Sequence, residues 1–345
     1  VKIVKTISVM AAAAAVVAMT LTGCTQRSSG DNPGASASTG NGGGEVSVAF
    51  VPKLQGIPYF EAMNTGGQKA AKDLGFTWLY QGPTSADAAA QADIVRSFIQ
   101  QKVGVLFVAP NDPNSMAPVL KQAQDAGIHI ATADTDAPDS ARELFVNQAT
   151  AEGLGQTLTD QLMKAMGDKG EYAIVSCGET AENLNSWIAV QKKYTAEKYP
   201  NAKIVDIVYA GEDQAKATQM ATDLMNAHPN LTGLVGECTS SAPGVAQAVK
   251  DAGKIGKVFT VGLGTPQAMK PYLDSGASSA SVLWDVEALG YLTGWAGVQL
   301  AKGAEIPAKP DVPGAPDATY DASSKVLLLG PPLVITKDNA GNYNY

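Results

Sequence analysis

Histidine is the scarcest reactive side chain here, with 2 in 345 residues. That leaves little room for a histidine-based metal site or a histidine general base. Cysteine is nearly as rare, with 3. Three cannot build a disulfide framework or an all-thiolate zinc site, which needs four. Positive charge is in deficit: 25 Lys and Arg stand against 33 Asp and Glu, a net charge of −8. A nucleic-acid binder needs a basic face to neutralise phosphates, so that class is excluded. No dinucleotide fingerprint opens the first strand–helix unit. The Gly-rich turn Gly262-Leu263-Gly264-Thr265-Pro266 lacks the Gly-Lys-Ser/Thr ending of a phosphate loop. His129 lies inside a strand-like run and His228 beside Pro229, neither near a nucleophile elbow. Enzyme chemistry, metals and cofactors are not expected.

What is present begins with an address. Lys2 and Lys5 precede an apolar run over residues 7–21, which ends in Leu21-Thr22-Gly23-Cys24. The run is short for a permanent membrane span and has the length of a signal-peptide core. Small residues closing on Cys24 resemble the lipobox of bacterial lipoproteins, whose signal is cleaved before a cysteine that is then lipidated. Residues 1–23 are therefore read as a lipoprotein signal peptide and Cys24 as the lipidated residue. An ordinary signal peptide with an incidental cysteine is the alternative. Cleavage would remove two lysines and no acid, taking the charge to −10. Residues 25–44 are nearly all Ser, Gly, Thr, Asn, Ala and Pro, and read, with the lipidated residue, as a flexible tether over 24–45. About 20 such residues span roughly 25 Å. The expected location is extracytoplasmic, anchored to the membrane through Cys24.

From Val46 the chain alternates β-rich apolar runs with Ala-rich amphipathic segments. The runs are Val46–Val51, Phe76–Tyr80, Val103–Ala109, His129–Ala133, Glu143–Val146, Tyr172–Cys177, Ile204–Tyr209, Gly233–Cys238, Val258–Gly262 and Ser279–Leu283. Continuous apolar runs fit parallel strands covered on both faces. Leu154, Leu158, Leu162 and Met166 recur at helical spacing. Ten strands are many for one open sheet, so the α/β pattern predicts two sheets of about five, with a boundary near Asn147. The run Val326–Ile335, broken by Pro331-Pro332, predicts a late strand.

Ligands of open α/β sheets sit beyond the carboxyl ends of the strands. Lys53, Tyr59 and Phe60 follow the first strand there, and Asp134 and Asp136 the fourth. Asn183, Asn185 and Trp187 follow the sixth, Glu237 and Thr239 the eighth, and Trp284 and Asp285 the tenth. Rings that cover C–H faces, mixed with carboxylates, amides and one lysine, suit a polyhydroxylated ligand. Each residue has a plainer role open to it. Lys53 could lie on the surface, one of Tyr59 and Phe60 could be core, and Asp134, Glu237, Thr239 and Asp285 could cap turns or helices. Asp136 reads as a cap, and Trp284 could pack at a hinge.

Phe50-Val51-Pro52-Lys53, Tyr80-Gln81-Gly82-Pro83-Thr84, Ala109-Pro110-Asn111-Asp112-Pro113, Asp134-Thr135-Asp136, Phe145-Val146-Asn147-Gln148 and Leu283-Trp284-Asp285 follow one another in this order. Together they resemble the sugar-binding proteins of bacterial ABC importers, above all the rhamnose-binding and autoinducer-2-binding branches. The resemblance covers residues 46–345. It implies the type I periplasmic-binding fold: α/β, with two Rossmann-like lobes of parallel sheet joined by a three-strand hinge. Residues 46–147 with about 284–308 would form the N-terminal lobe, and 148–283 with about 320–345 the C-terminal lobe. The resemblance implies ligand contacts from Lys53, Tyr59, Phe60, Asp134, Trp284 and Asp285. Asn183, Leu184, Glu237 and Thr239 replace residues of the autoinducer-2 branch, which speaks against that ligand and for another small neutral sugar or polyol. It also implies ABC permease and ATPase partners and a monomeric receptor. A sugar sensor serving a membrane receptor is an alternative. A regulator of the lac-repressor type shares the fold, but no basic helix-turn-helix is present.

Cys177 and Cys238 end the first and third strands of the second lobe. A doubly wound order makes those strands neighbours, about 4.8 Å apart. A disulfide fits that spacing and an exported compartment; two buried thiols are the alternative.

Overall fold

The computed structural model describes residues 46–345. The leader, Cys24 and the tether lie outside the described residues. The strands are β1 (Ser47–Val51), β2 (Thr77–Tyr80), β3 (Val105–Val108), β4 (His129–Ala133), β5 (Leu144–Asn147), β6 (Gly170–Ser176), β7 (Ala202–Tyr209), β8 (Leu231–Gly236), β9 (Phe259–Gly262), β10 (Ala280–Leu283), β11 (Thr319–Asp321), β12 (Val326–Leu328) and β13 (Leu333–Ile335). The helices are α1 (Pro58–Leu74), α2 (Ala88–Gln101), α3 (Pro113–Asp125), α4 (Ala151–Met166), α5 (Glu182–Lys198), α6 (Gln214–Ala227), α7 (Ser241–Asp251), α8 (Pro266–Ser275) and α9 (Val286–Lys302). Among the described residues no helix is long and apolar enough to cross a membrane.

The strands form two sheets, one per lobe. The first runs β11-β12-β5-β4-β3-β1-β2 and the second β13-β10-β9-β8-β6-β7. Pairing is parallel except for β11 with β12 and β13 with β10. In each sheet the order reverses beside the first strand of the lobe, β1 or β6, which sets a switch point at the carboxyl ends. Strands such as β3 and β10 are buried along their whole length, as two-sided cover requires. In α4, Leu154, Leu158, Leu162 and Met166 are all buried, so one stripe of the helix seals the core. Each such side chain stabilises by about 1.5–3 kcal/mol relative to exposure.

The chain crosses between lobes after β5, after β10 and after β12. Following the second crossing, α9 packs on α1 and on strands of the first sheet. Gly66 and Gly290 make this contact close. A Cβ on Gly66 would stand 1.9 Å from the Glu287 carbonyl oxygen, and one on Gly290 would stand 1.9 Å from that of Met63. Such distances belong to backbone touching backbone, which only glycine permits.

The tail corrects the expected lobe assignment. The sequence placed about 320–345 in the C-terminal lobe and read Val326–Ile335 as one strand. Instead β11 and β12 join the first sheet, with β12 parallel to β5, and only β13 enters the second. Pro331 and Pro332 cannot donate to a ladder, and they lie in the link that carries the chain across between β12 and β13.

Candidate functional site

Two short strand-end loops deliver the polar groups of the first lobe. Lys53 follows β1 and is 5% exposed. Its backbone carbonyl accepts from Asn111 Nδ2 at 2.8 Å, which fixes the loop. Its Nζ donates to Asn183 Oδ1 at 2.9 Å and stands 3.8 Å from Asp134 Oδ1. Asp134 follows β4 at φ 68°. That is the left-handed region, which Asp tolerates better than most residues and which costs of order 1 kcal/mol. It ends the strand and turns the carboxylate toward the cleft, where Tyr59 Oη donates to Oδ2 at 2.7 Å and Thr135 Oγ1 to Oδ1 at 2.8 Å. Burial, reinforced by the neighbouring Asp134 carboxylate, pushes the Tyr59 phenol well up, so it stays a donor. Phe60 meets the Tyr59 ring edge-on at 5.0 Å. Asp136 turns away to Arg142, 2.6 Å from its Nε, and to the amide of Ala137.

The second lobe presents a helix face. Asn183 and Trp187 lie four residues apart on α5 and are both buried. The Trp284 ring, beyond β10, stands 5.9 Å from Trp187 and 5.8 Å from Tyr59, edge-on in both pairs. Glu212 follows β7 and accepts from Ser240 Oγ at 3.1 Å. It is half-buried beside the cavity, and desolvation raises its carboxyl above the ordinary range, against the opposing pull of Lys53. The sulfurs of Cys177 and Cys238 are at bonding distance, with Cα atoms 6.1 Å apart, inside the usual disulfide range. Pairing them would leave Glu212 without the two thiolates that share its neighbourhood as metal ligands.

These groups surround about 360 Å³ of space, the open solvent at its mouth included. Lys53, Tyr59, Phe60, Asp134, Asn183, Thr239 and Trp284 all line it, as do Leu184 and Trp187. The lobes touch across it through Lys53 with Asn183, and through Thr180 Oγ1, which donates to the Asn111 carbonyl at 2.9 Å. This is a closed cleft.

Two expected contacts are not in the cavity wall. Glu237 points into the core of the second lobe, fully buried, where Gln191 Nε2 donates to its two oxygens at 2.7 and 2.8 Å. Strand alternation carries one position beyond β8, so Glu237 takes the same core face as Val235, whereas Thr239 lies past the strand, in the turn before α7, and reaches the cleft. Burial pushes the Glu237 carboxyl up to about 8, more than the Gln191 bond pulls it down. Asp285 caps α9, accepting from the Ala288 amide at 2.8 Å. It takes the role the sequence gave as its rival. Glu212 was missed. The strand-end rule applied to the seventh strand would have found it, since only Ala210 and Gly211 separate Glu212 from Tyr209 at the strand's end.

Two α/β lobes closing on a buried polar–aromatic cavity define a ligand-binding protein of the type I periplasmic-binding fold. A family model described as "Periplasmic binding protein domain" matches residues 48–305. The chain belongs to that family. It is 30% identical over 241 residues to the D-ribose/D-allose-binding protein of Pseudomonas aeruginosa, covering 66% of this chain and 74% of that one. Its structure resembles LsrB from Clostridium saccharobutylicum in complex with AI-2, with a TM-score of 0.81 and 29% identity over 87% of this chain and 100% of the other. A solute-binding protein of an ABC transporter from Clostridium phytofermentas with bound L-rhamnose matches with a TM-score of 0.81 and 27% identity, over 87% and 98% of the two chains.

Proposed function

We propose that this protein is the extracytoplasmic substrate-binding lipoprotein of an ABC importer, and that it captures a small neutral sugar or polyol between its lobes. The observation that carries the reading is the cavity itself. Four aromatic rings, Tyr59, Phe60, Trp187 and Trp284, offer faces and edges to C–H surface, while Asp134, Lys53 and Asn183 offer fixed acceptors and donors. Asp134 is already held by Tyr59 and Thr135, so a ligand hydroxyl meets a preorganised charge-assisted acceptor. Ligand contacts made from both lobes exist only when the cleft is closed, so binding shifts the population toward that form. The closed face then docks on the permease of its transporter. In this reading the protein acts as a monomer, Cys24 holds it to the membrane, and Cys177 and Cys238 are oxidised in the exported compartment. An autoinducer-2-type role is the second reading, favoured by the likeness to LsrB. Asn183, Leu184 and Thr239 at cavity positions speak against it.

Calorimetry against L-rhamnose, D-ribose, D-allose, D-arabinose and short polyols tests the proposal. One of them should bind saturably at one site and raise the melting temperature. No heat and no thermal shift across the panel would overturn a single-ring sugar or short polyol as the ligand.

A further inference from the structure

A second depression adjoins the first and opens to solvent past the exposed Pro58 and Gln214; Ile57, Tyr59, Glu212 and Thr239 line both. It too lies between the lobes: Ile57, Pro58 and Tyr59 of the first face Gln214, Ser240 and Thr265 of the second. Its chemistry differs from that of the first cavity. The wall has few aromatic rings but many hydrogen-bonding side chains, over an aliphatic floor of Ile57, Pro58 and Pro243. Several of these polar groups keep unused hydrogen-bonding capacity. Thr265 is 2% exposed and stands at the N-cap of α8 without a side-chain cap bond. Ser240 likewise makes no cap bond to α7, and gives its hydroxyl to Glu212 instead. Glu212, at the junction, has Oε2 held by Ser240, while its Oε1 makes no hydrogen bond among the described residues.

We propose that the cleft is built for a ligand longer than one ring: a disaccharide or similar O-glycoside. One sugar lies in the aromatic cavity and the second polar unit in the adjoining chamber, with Glu212 accepting from a hydroxyl near the glycosidic link. A free monosaccharide would leave the chamber's hydroxyls and the Glu212 oxygen to water. A second ring supplies hydroxyls for Gln214, Ser240 and Thr265 and a C–H face for the aliphatic floor. The free oxygen of a partly bonded carboxylate is a strong acceptor for such donors. The proposal rests on the sugar-binding reading and adds the size class of its ligand.

The test is calorimetry on the full mature chain with three forms of each panel sugar: free, as the methyl glycoside, and joined through the same anomeric oxygen to glucose. The glucoside should bind at least about tenfold tighter than the methyl glycoside, equivalent to 1.4 kcal/mol. Ala268→Phe, which fills the chamber from α8, should erase that difference and leave the methyl glycoside within about twofold. Gln214→Ala, at an exposed position, checks the same wall without added bulk and should lose about threefold for the glucoside alone. Equal or weaker binding of the glucoside, with the free sugar still bound, would overturn the extended site alone. Silence from every sugar and glycoside would overturn the sugar-binding reading as well.

Discussion

The two lobes reach the cavity by different routes. The first uses loops that leave directly from strand ends: Lys53 two positions past β1 and Asp134 one past β4. The second relies on a helix face, with Asn183 and Trp187 on α5, and on the later loop positions Glu212 and Thr239. A strand-end loop pinned by backbone pairing is rigid, and Asp134 is further fixed by Tyr59 and Thr135. Asn183 has a single side-chain tie, to Lys53 of the opposite lobe, and that tie exists only when the cleft is closed. On the proposed reading the first lobe carries the preformed recognition surface, and the second completes it on closure.

Truncating each lobe's polar group measures this asymmetry, and the largest effect should come from the first lobe. Asp134→Ala removes the acceptor and leaves Lys53 buried without its carboxylate partner. Losing one member of a buried, hydrogen-bonded charge pair costs about 2–5 kcal/mol, so affinity for the bound sugar should fall by at least about 30-fold. Asn183→Ala removes a neutral amide and should cost about tenfold. Titration calorimetry of both variants, with circular dichroism to show a retained fold, checks the pair. Equal losses would erase the distinction between a preformed and a completing lobe.

How far the sequence could be read follows the same division. The ten apolar runs, with Gly and Pro at their ends, made the strands and the two-sheet organisation legible, because burial on both faces leaves a composition that single residues display. Lys53 and Asp134 could be placed because strand-end position alone sets them in the cleft. Glu237 could not, since its orientation depends on which face of β8 meets the core, a matter of sheet register. Asn183 and Trp187 were also read as following the sixth strand and both line the cavity, though it is the phase of α5 that turns them there. The tail was misassigned for a related reason: β11, β12 and β13 are 3 residues each, too short for periodicity to choose a sheet.

The second-largest effect should come from the second lobe's core rather than from its cavity, and should appear in stability rather than binding. Glu237 has its carboxyl raised from the ordinary 4.5 to about 8 by burial. The native state therefore holds a proton that the unfolded chain releases between those values. Native stability falls as pH rises through that window, and the penalty is complete above about 8. The protonated acid also suits its partner: Gln191 Oε1 is buried without a hydrogen bond among the described residues, and its amide can turn to accept that proton. Glu237→Gln should flatten the profile, gaining on the order of 2–4 kcal/mol over wild type at pH 9 relative to pH 4.5. Sugar affinity should stay unchanged. Urea unfolding across pH checks the first expectation and calorimetry the second. Parallel stability profiles would show that burial does not hold Glu237 neutral, and weakened binding would return it to the ligand site.

The smallest effect belongs to the seam between the lobes. Asp285 begins α9, the helix that leaves the second sheet and packs on the first. Its Oδ1 accepts from the Ala288 amide at 2.8 Å, so the side chain is committed to the helix end. Replacing an Asp N-cap by Ala costs about 1 kcal/mol. Because α9 is sealed against α1 through Gly66 and Gly290, the loss should be confined to the first turn. Asp285→Ala should thus lower the unfolding free energy by about 1 kcal/mol and leave sugar affinity within about twofold. Trp284, one residue earlier, lines the cavity while Asp285 does not. A loss of affinity of about tenfold or more in Asp285→Ala would mean that the helix cap also positions the Trp284 ring, making the seam part of the binding surface rather than a boundary between two lobes.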